Sequence, residues 1–294
     1  MQVFVAVAEE QSFAAASRRL ALSPPVVTRA IGALEAQLGV KLLQRTTRIV
    51  RLTDSGARYL LDCKRLLGEI EDVEQALSGS QTELRGQLAV TASLMFGRLF
   101  VAPILLEFLG LHPKVNGRAL LVDRVVDPIE EGLDVAVRIA HLSDASFTAI
   151  RVGSVRQVLC ASPAYLKHHG VPREPRELTH FDAISFSTDR VAPAWSFGAG
   201  KKSTTVRPRS RLVVNSSEVA MQAAVDGAGL TRVLSYMAAS ELKAGRLRVI
   251  LSEFEPEPLP IHVIHREGKR AAARVRAFVD LAVDRLRRHP LLKS

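Results

Sequence analysis

The sequence predicts a mainly α-helical N-terminal domain carrying a two-stranded wing, then one long linker helix, then a larger α/β domain. Three observations predict this. The first forty residues read as three short helices, two of them opened by serine caps, residues 59–77 carry a heptad, and after Gly86 strand-like and helix-like patterns alternate to the end.

Residues 2–10 read as a short helix. Ser12 caps a second that runs to about Leu20, and Ser23 caps a third that enters through Pro24 and Pro25, where a missing N–H costs the helix nothing. In the third helix Val27, Ile31, Leu34 and Leu38 recur at helical spacing, which predicts a buried stripe and turns Pro25, Thr28, Arg29 and Gly32 outward. Gly39 supplies a left-handed stop. Lys41 to Leu43 and Ile49 to Leu52 then read as two strands around a polar, basic tip at residues 44–48.

Thr53 or Asp54 caps the long helix. Its Tyr59, Cys63, Leu66, Ile70, Val73 and Leu77 alternate four- and three-residue steps, a seam that requires a partner helix. Ser78-Gly79-Ser80 begins a linker. Beyond it, strands are expected at Leu88 to Thr91, Ala119 to Val122 and Asp134 to Ile139, a helix at Phe100 to Leu109 and a helical turn at Asp127 to Glu131. A second βα run spans Ser162 to Pro260. A last helix, Ala271 to His289, buries Val275, Phe278, Val279, Ala282 and Leu286.

Composition bounds the function. A chain of 294 residues with 47% hydrophobic content can pack two or three cores. No apolar signal region opens the chain and no later stretch approaches the length of a membrane span, so the cytoplasm is the expected address and no membrane partner is expected. The net charge of +10 favours a polyanion. Residues 1–60 concentrate part of it, with eight cations (among them Arg29, Lys41, Arg45, Arg48 and Arg51) against Glu9, Glu10, Glu35 and Asp54.

Three short helices followed by a basic wing form a winged helix-turn-helix, whose third helix fits the major groove of double-stranded DNA. The expected DNA contacts are Ser23, Pro24, Pro25, Thr28 and Arg29 on that helix. Arg45, Thr46, Arg48 and Arg51 on the wing would flank the duplex. Enzyme chemistry is missing. Gly198-Ala199-Gly200-Lys201-Lys202 lacks the first Gly and the final Ser or Thr of a phosphate loop and reads as a hairpin turn. His168-His169 has no partner at ligand spacing, and Cys63 and Cys160 are far apart, so neither a metal nor a cofactor is expected.

The segments Ser12-Phe13-Ala14-Ala15-Ala16, Leu22-Ser23-Pro24-Pro25-Val26-Val27-Thr28-Arg29-Ala30-Ile31 and Leu34-Glu35-Ala36-Gln37-Leu38-Gly39-Val40 resemble the signature of LysR-type transcription regulators. Arg45-Thr46-Thr47-Arg48 and Leu52-Thr53-Asp54-Ser55-Gly56 continue it. Asp123 to Asp127, Glu131 to Ile139 and Ala161 to Leu166 resemble that family's effector domain. The chain departs from the family at Pro24, where a Gln or similar polar residue is usual, so shape or apolar contact would replace a direct base contact there. Family members also carry several residues ahead of the counterpart of Met1, and a start further upstream is expected.

The resemblance implies a winged helix-turn-helix at 1–57, a dimerisation helix and hinge at 58–86, and an effector domain at 87–294 that folds like a periplasmic solute-binding protein. One lobe would use about 87–161 with 266–294 and the other about 162–265, with crossings at Ala161-Ser162 and His265-Arg266. Ligands in such folds sit at strand ends and helix N-termini. Ser93, Arg138, Ser162, Asn215 and Ser216 are accordingly the candidate effector contacts. Ser162, Asn215 and Ser216 serve equally well as N-caps, and Arg138 as a hinge brace.

The implied function is a ligand-responsive, sequence-specific DNA-binding regulator, a homodimer through the linker helix that pairs into tetramers, with RNA polymerase as a further partner. A small carboxylate is the expected effector. The rival readings are a nucleoid-type DNA binder without an effector and an enzyme built on the lobes.

Overall fold

A computed structural model describes residues 1–45, 50–77, 83–127, 131–142, 148–188, 191–198, 203–265 and 271–293. The chain divides into two compact units, Met1–Gln87 and Leu88–Ser294.

In the first unit, α1 (Gln2–Glu10) spans the expected residues, and α2 (Phe13–Arg19) and α3 (Pro24–Leu38) start just after Ser12 and Ser23 as expected. The Ser12 hydroxyl accepts from the Ala15 N–H, a cap worth about 1 kcal/mol. Ser23 occupies the N-cap of α3 without a side-chain cap bond, and Gly39 ends that helix at φ 66°. Val27 and Ile31 are buried with Phe4, Val7 and Ala16, whereas Leu38 is 41% exposed. The buried side of the helix continues at Glu35 rather than at Leu38.

Strands β1 (Leu43–Arg45) and β2 (Val50–Leu52) pair antiparallel, Leu43 facing Leu52 and Gln44 facing Arg51. The wing tip from Thr46 to Ile49, with Thr46 and Arg48, lies outside the described residues.

The long helix α4 (Asp54–Leu77) begins on a Thr53 cap, whose hydroxyl accepts from the Gly56 N–H at 2.9 Å. The heptad divides between two tasks. Tyr59 packs on Phe4, ring centroids 5.4 Å apart, and Cys63 is fully buried in the same core, so the first two positions stay within the chain. Ile70, further along the same heptad, is 52% exposed. Gly56 sits hard against the wing entry, since a Cβ there would stand 2.0 Å from the Leu42 carbonyl oxygen. Gly56→Ala is therefore expected to destabilise this unit by about 1–3 kcal/mol, although alanine is the better helix former, and thermal melts followed by circular dichroism measure it.

The second unit holds two five-stranded mixed sheets. The first has the order β4-β3-β5-β14-β6, from β3 (Gly86–Ala92), β4 (Val115–Leu121), β5 (Val135–Ile139), β6 (Thr148–Val155) and β14 (Leu259–His265). The second has the order β11-β8-β12-β7-β13, from β7 (Gln157–Ala161), β8 (Asp182–Phe186), β11 (Arg209–Val214), β12 (Leu230–Leu234) and β13 (Arg248–Ile250). A hairpin of β9 (Trp195–Phe197) and β10 (Thr204–Val206) adds Trp195, Phe197 and Val206 to the second core. The flanking strands agree with the hairpin expected around Gly198 to Lys202, whose residues 199–202 lie outside the described set.

The crossings fall elsewhere than expected. The chain leaves the first sheet at Arg156, between β6 and β7, and returns between β13 and β14. Strand β7 pairs antiparallel with β12 and β13, and β14 pairs antiparallel with β5 and β6, so residues 157–161 belong to the second lobe and 259–265 to the first. The turn chemistry of Ser162-Pro163 marks the start of α7 (Pro163–His169), not a change of sheet.

The helix after β3 starts earlier than expected. It runs from Leu94 to Leu111 as α5 (Leu94–Phe96), a π-helical turn (Gly97–Val101) and α6 (Ala102–Leu111). With 18 residues and a mean hydropathy of 1.8 it reaches the length and apolarity of a membrane span, which corrects the expectation that no stretch does. Its apolar residues serve the lobe instead: Phe96, Phe100, Ile104, Leu105 and Phe108 are buried, and Phe108 meets Phe278 edge-on at 5.4 Å. Phe278 lies on α10 (Ala273–Arg288), which buries the five residues its periodicity predicts.

Candidate functional site

The surface of α3 is built by its buried side. With Val27, Ile31 and Glu35 turned inward, helical geometry leaves Pro24, Pro25, Thr28, Arg29 and Gly32 exposed, as the periodicity requires. Ser23 is exposed just before them. Sequence reasoning passed over Val26, which is 44% exposed beside these residues and suits contact with a thymine methyl group. On the wing Arg51 is exposed on β2, and Arg45 ends β1.

Glu35 is a buried carboxylate, 3% exposed, on the last turns of α3. Its Oε1 accepts from the backbone N–H groups of Leu42 at 3.0 Å and Leu43 at 3.1 Å, and Oε2 accepts from Lys41 Nζ at 2.8 Å. Burial opposes its ionisation, but Lys41 and the Leu43 and Leu42 N–H groups outweigh it and hold the carboxyl below its ordinary range.

In the second unit the registers decide which candidates meet. Strand β3 runs parallel to β5 with Val90 opposite Val135 and Thr91 opposite Ala136, so Ser93, following β3, stands level with Arg138 near the end of β5. Ser93 is the N-cap of the Leu94 helix, and its neighbour Asp123 accepts from the Leu94 N–H at 3.0 Å. The Arg138 guanidinium donates to the Val126 carbonyl, a brace within its own lobe.

In the second lobe β11, β8 and β12 are parallel, and Asn215 and Ser216 follow β11 at their C-terminal ends. Ser216 caps α8 (Ser217–Val225) by accepting from the Val219 N–H at 3.4 Å, and Asn215 is exposed. This end faces the first lobe: Ser217 Oγ lies 3.8 Å from Met95 Sδ, and Arg98 pairs with Glu218 at 2.6 Å. Ser162 does not join them. Because β7 runs antiparallel to β12, with Cys160 opposite Thr231, Ser162 lies at the other end of the sheet, buried, with its hydroxyl accepting from the Tyr165 N–H. Its serine chemistry is that of an N-cap.

Tyr236 was missed. It stands just beyond β12 at the start of α9 (Ser235–Lys243) and packs edge-on against Phe96 and Phe100 of the first lobe, at 5.4 and 5.5 Å. Its hydroxyl is buried and points toward the Ser93 side chain, but the geometry stops short of a hydrogen bond. Burial pushes its ionisation well above the ordinary phenol range. Among the described residues no cluster of His, Cys, Asp or Glu could hold a metal ion. His169, at the end of α7, stacks on Tyr165 at 4.1 Å.

The two units match two family models. Residues 1–57 match "Bacterial regulatory helix-turn-helix protein, lysR family", and residues 81–287 match "LysR substrate binding domain". The regulator PtxR of Pseudomonas aeruginosa is 31% identical over 99% of this chain and 93% of its own length. An HTH-type transcriptional regulator of Xanthomonas campestris is 32% identical, covering 97% of this chain and 84% of its own. Among solved structures, CrgA of Neisseria meningitidis, described as a LysR-type transcriptional regulator, is 27% identical with a TM-score of 0.62 over 97% of each chain.

Proposed function

Because this chain belongs to the LysR family of bacterial transcription regulators, we propose a residue-level assignment of its DNA contacts and of its effector site. The family fixes the coarse function. The chain is a sequence-specific DNA-binding regulator that responds to a small molecule in its two-lobed domain, it oligomerises through the linker helix, and it is a regulator of the cytoplasm rather than an enzyme.

In the proposed assignment Thr28 and Arg29 read base edges in the major groove, and Ser23, Pro24 and Pro25 fit the adjoining backbone. Arg45, Thr46, Arg48 and Arg51 hold phosphates from the wing. Residues 1–57 act as the DNA-binding domain, 58–86 as dimerisation helix and hinge, and 87–294 as the effector domain. Dimers pair into tetramers, and RNA polymerase is a further partner.

The effector is a small carboxylate held by Ser93 and Arg138 from one lobe and by Asn215 and Ser216 from the other. The observation that carries this reading is the shared level of Ser93 and Arg138 on parallel strands, opposite the lobe end where α8 begins. Arg138 spends one nitrogen on Val126, which leaves donors for paired hydrogen bonds to a carboxylate. Ser162 is not part of the proposal.

A thermal-shift screen of carboxylate metabolites against wild type and Arg138→Ala tests it. A carboxylate present at about a hundred times its dissociation constant stabilises by about 2.7 kcal/mol, a shift of several degrees. The shift is expected to disappear in the variant. A ligand whose effect survives the substitution, or a screen answered only by cations and neutral compounds, would remove Arg138 from the site.

A further inference from the structure

We propose that Glu35 is a positioning residue for DNA binding, clamping the backbone at Lys41 to Leu43 so that the recognition helix, the wing and the linker helix move as one body. The segment is held from both sides, and Leu42 is held by both at once. From α3, the Glu35 carboxylate takes the Leu42 and Leu43 N–H groups. From the start of α4, the Thr53 hydroxyl donates to the Lys41 carbonyl at 2.8 Å, the Thr53 N–H donates to the Leu42 carbonyl at 3.0 Å, and Gly56 closes directly over that carbonyl.

A buried carboxylate is a poor choice for stability alone, because an apolar side chain of the same volume avoids the desolvation of a charge. It supplies direction instead. Two convergent N–H bonds fix where the wing leaves α3, and the wing's cations can meet phosphates only if that exit is fixed. Lys41 helps keep the carboxylate ionised but fixes no backbone position, since its own side chain is 77% exposed. The clamp thus rests on main-chain groups of the wing entry, and its side-chain requirements are an acceptor at position 35 and the hydroxyl of Thr53.

The test uses the full chain and a random-sequence duplex, titrated by fluorescence anisotropy at several salt concentrations. Arg51→Ala is expected to lower the slope of log affinity against log salt by about 0.9, the loss of one phosphate contact. Glu35→Met keeps the side-chain volume and removes the acceptor. It is expected to fold, to lower the slope by at least as much, and to make Arg51→Ala silent when the two are combined. Glu35→Gln, which still offers an oxygen to both N–H groups, is expected to restore the wild-type slope.

An unchanged slope in Glu35→Met overturns the proposal, and so does an Arg51→Ala decrement that persists undiminished in its background. Failure of Glu35→Gln to rescue does the same. Amide hydrogen exchange on the wild type provides a measurement that needs no variant. The Leu42 and Leu43 amides are expected to exchange as slowly as those of Val27 and Ile31, and exchange faster by about tenfold or more, an opening cheaper by about 1.4 kcal/mol, would show that the junction opens by itself.

Discussion

Replacing Thr28 and Arg29 together by alanine is expected to remove most of the discrimination between operator and random DNA while leaving general DNA affinity largely in place. Both side chains are exposed on the outward face of α3, one and two residues beyond the buried Val27. A bidentate contact between arginine and guanine is worth about 1–3 kcal/mol of discrimination, and specific binding typically exceeds non-specific binding by roughly a thousandfold or more. Loss of both side chains should therefore reduce that ratio to about tenfold or less. Gel-shift titrations compare a duplex selected from a random library with its scrambled version. Neither residue packs against the core, so the melting temperature should not move. A double variant that keeps wild-type discrimination would take the base-reading role away from this face.

The second large effect is expected at the linker helix, where Leu66→Asp combined with Ile70→Asp should lower the mass of the assembly. Ile70 is 52% exposed within its own chain, and an apolar residue so placed on a heptad requires a second helix to cover it. Carboxylates from both copies would then enter a seam that excludes water, at a cost of several kcal/mol per charge. Tyr59 and Cys63 are the wrong positions for this test, because they belong to the core around Phe4 and their loss would unfold the first unit. Sedimentation velocity gives the mass. Retention of the wild-type value would mean that the larger domain alone holds the copies together.

The elements most legible in the sequence were those fixed by local chemistry. Ser12, Pro24 and Gly39 each mark a helix end through one side chain or one backbone angle, and all three ends lie where those residues put them. The last helix was legible because its five buried positions follow one period. Strand order was not, since pairing between residues such as Ile139 and Ile261 leaves no local trace. The passage between lobes at Arg156 was equally silent, because no glycine or proline interrupts the run from Thr148 to Ala161 except Gly153 inside β6.

The candidate site divided in the same way. Ser162 was misplaced because the serine that caps a helix looks the same at either end of a sheet. Tyr236 was invisible because nothing in Leu234-Ser235-Tyr236 tells which neighbour from the other lobe will meet it. Glu35 was counted only as a charge, although a carboxylate three residues before the end of an amphipathic helix and in line with Val27 and Ile31 is turned toward the core by the same period.

The crossings at Arg156 and after β13 make the second lobe one continuous stretch of chain inserted into the first. Synthesis on the ribosome therefore completes the inner lobe while the outer one is still missing β14, the strand that joins β5 to β6, and the helix α10. Until residue 259 emerges, β5 and β6 each lack the neighbour that joins them, and two apolar strand edges wait in the open. The nascent protein thus passes through a stage with one finished lobe and one unfinished sheet, whose strand edges pair only when β14, near the end of the larger domain, has been made.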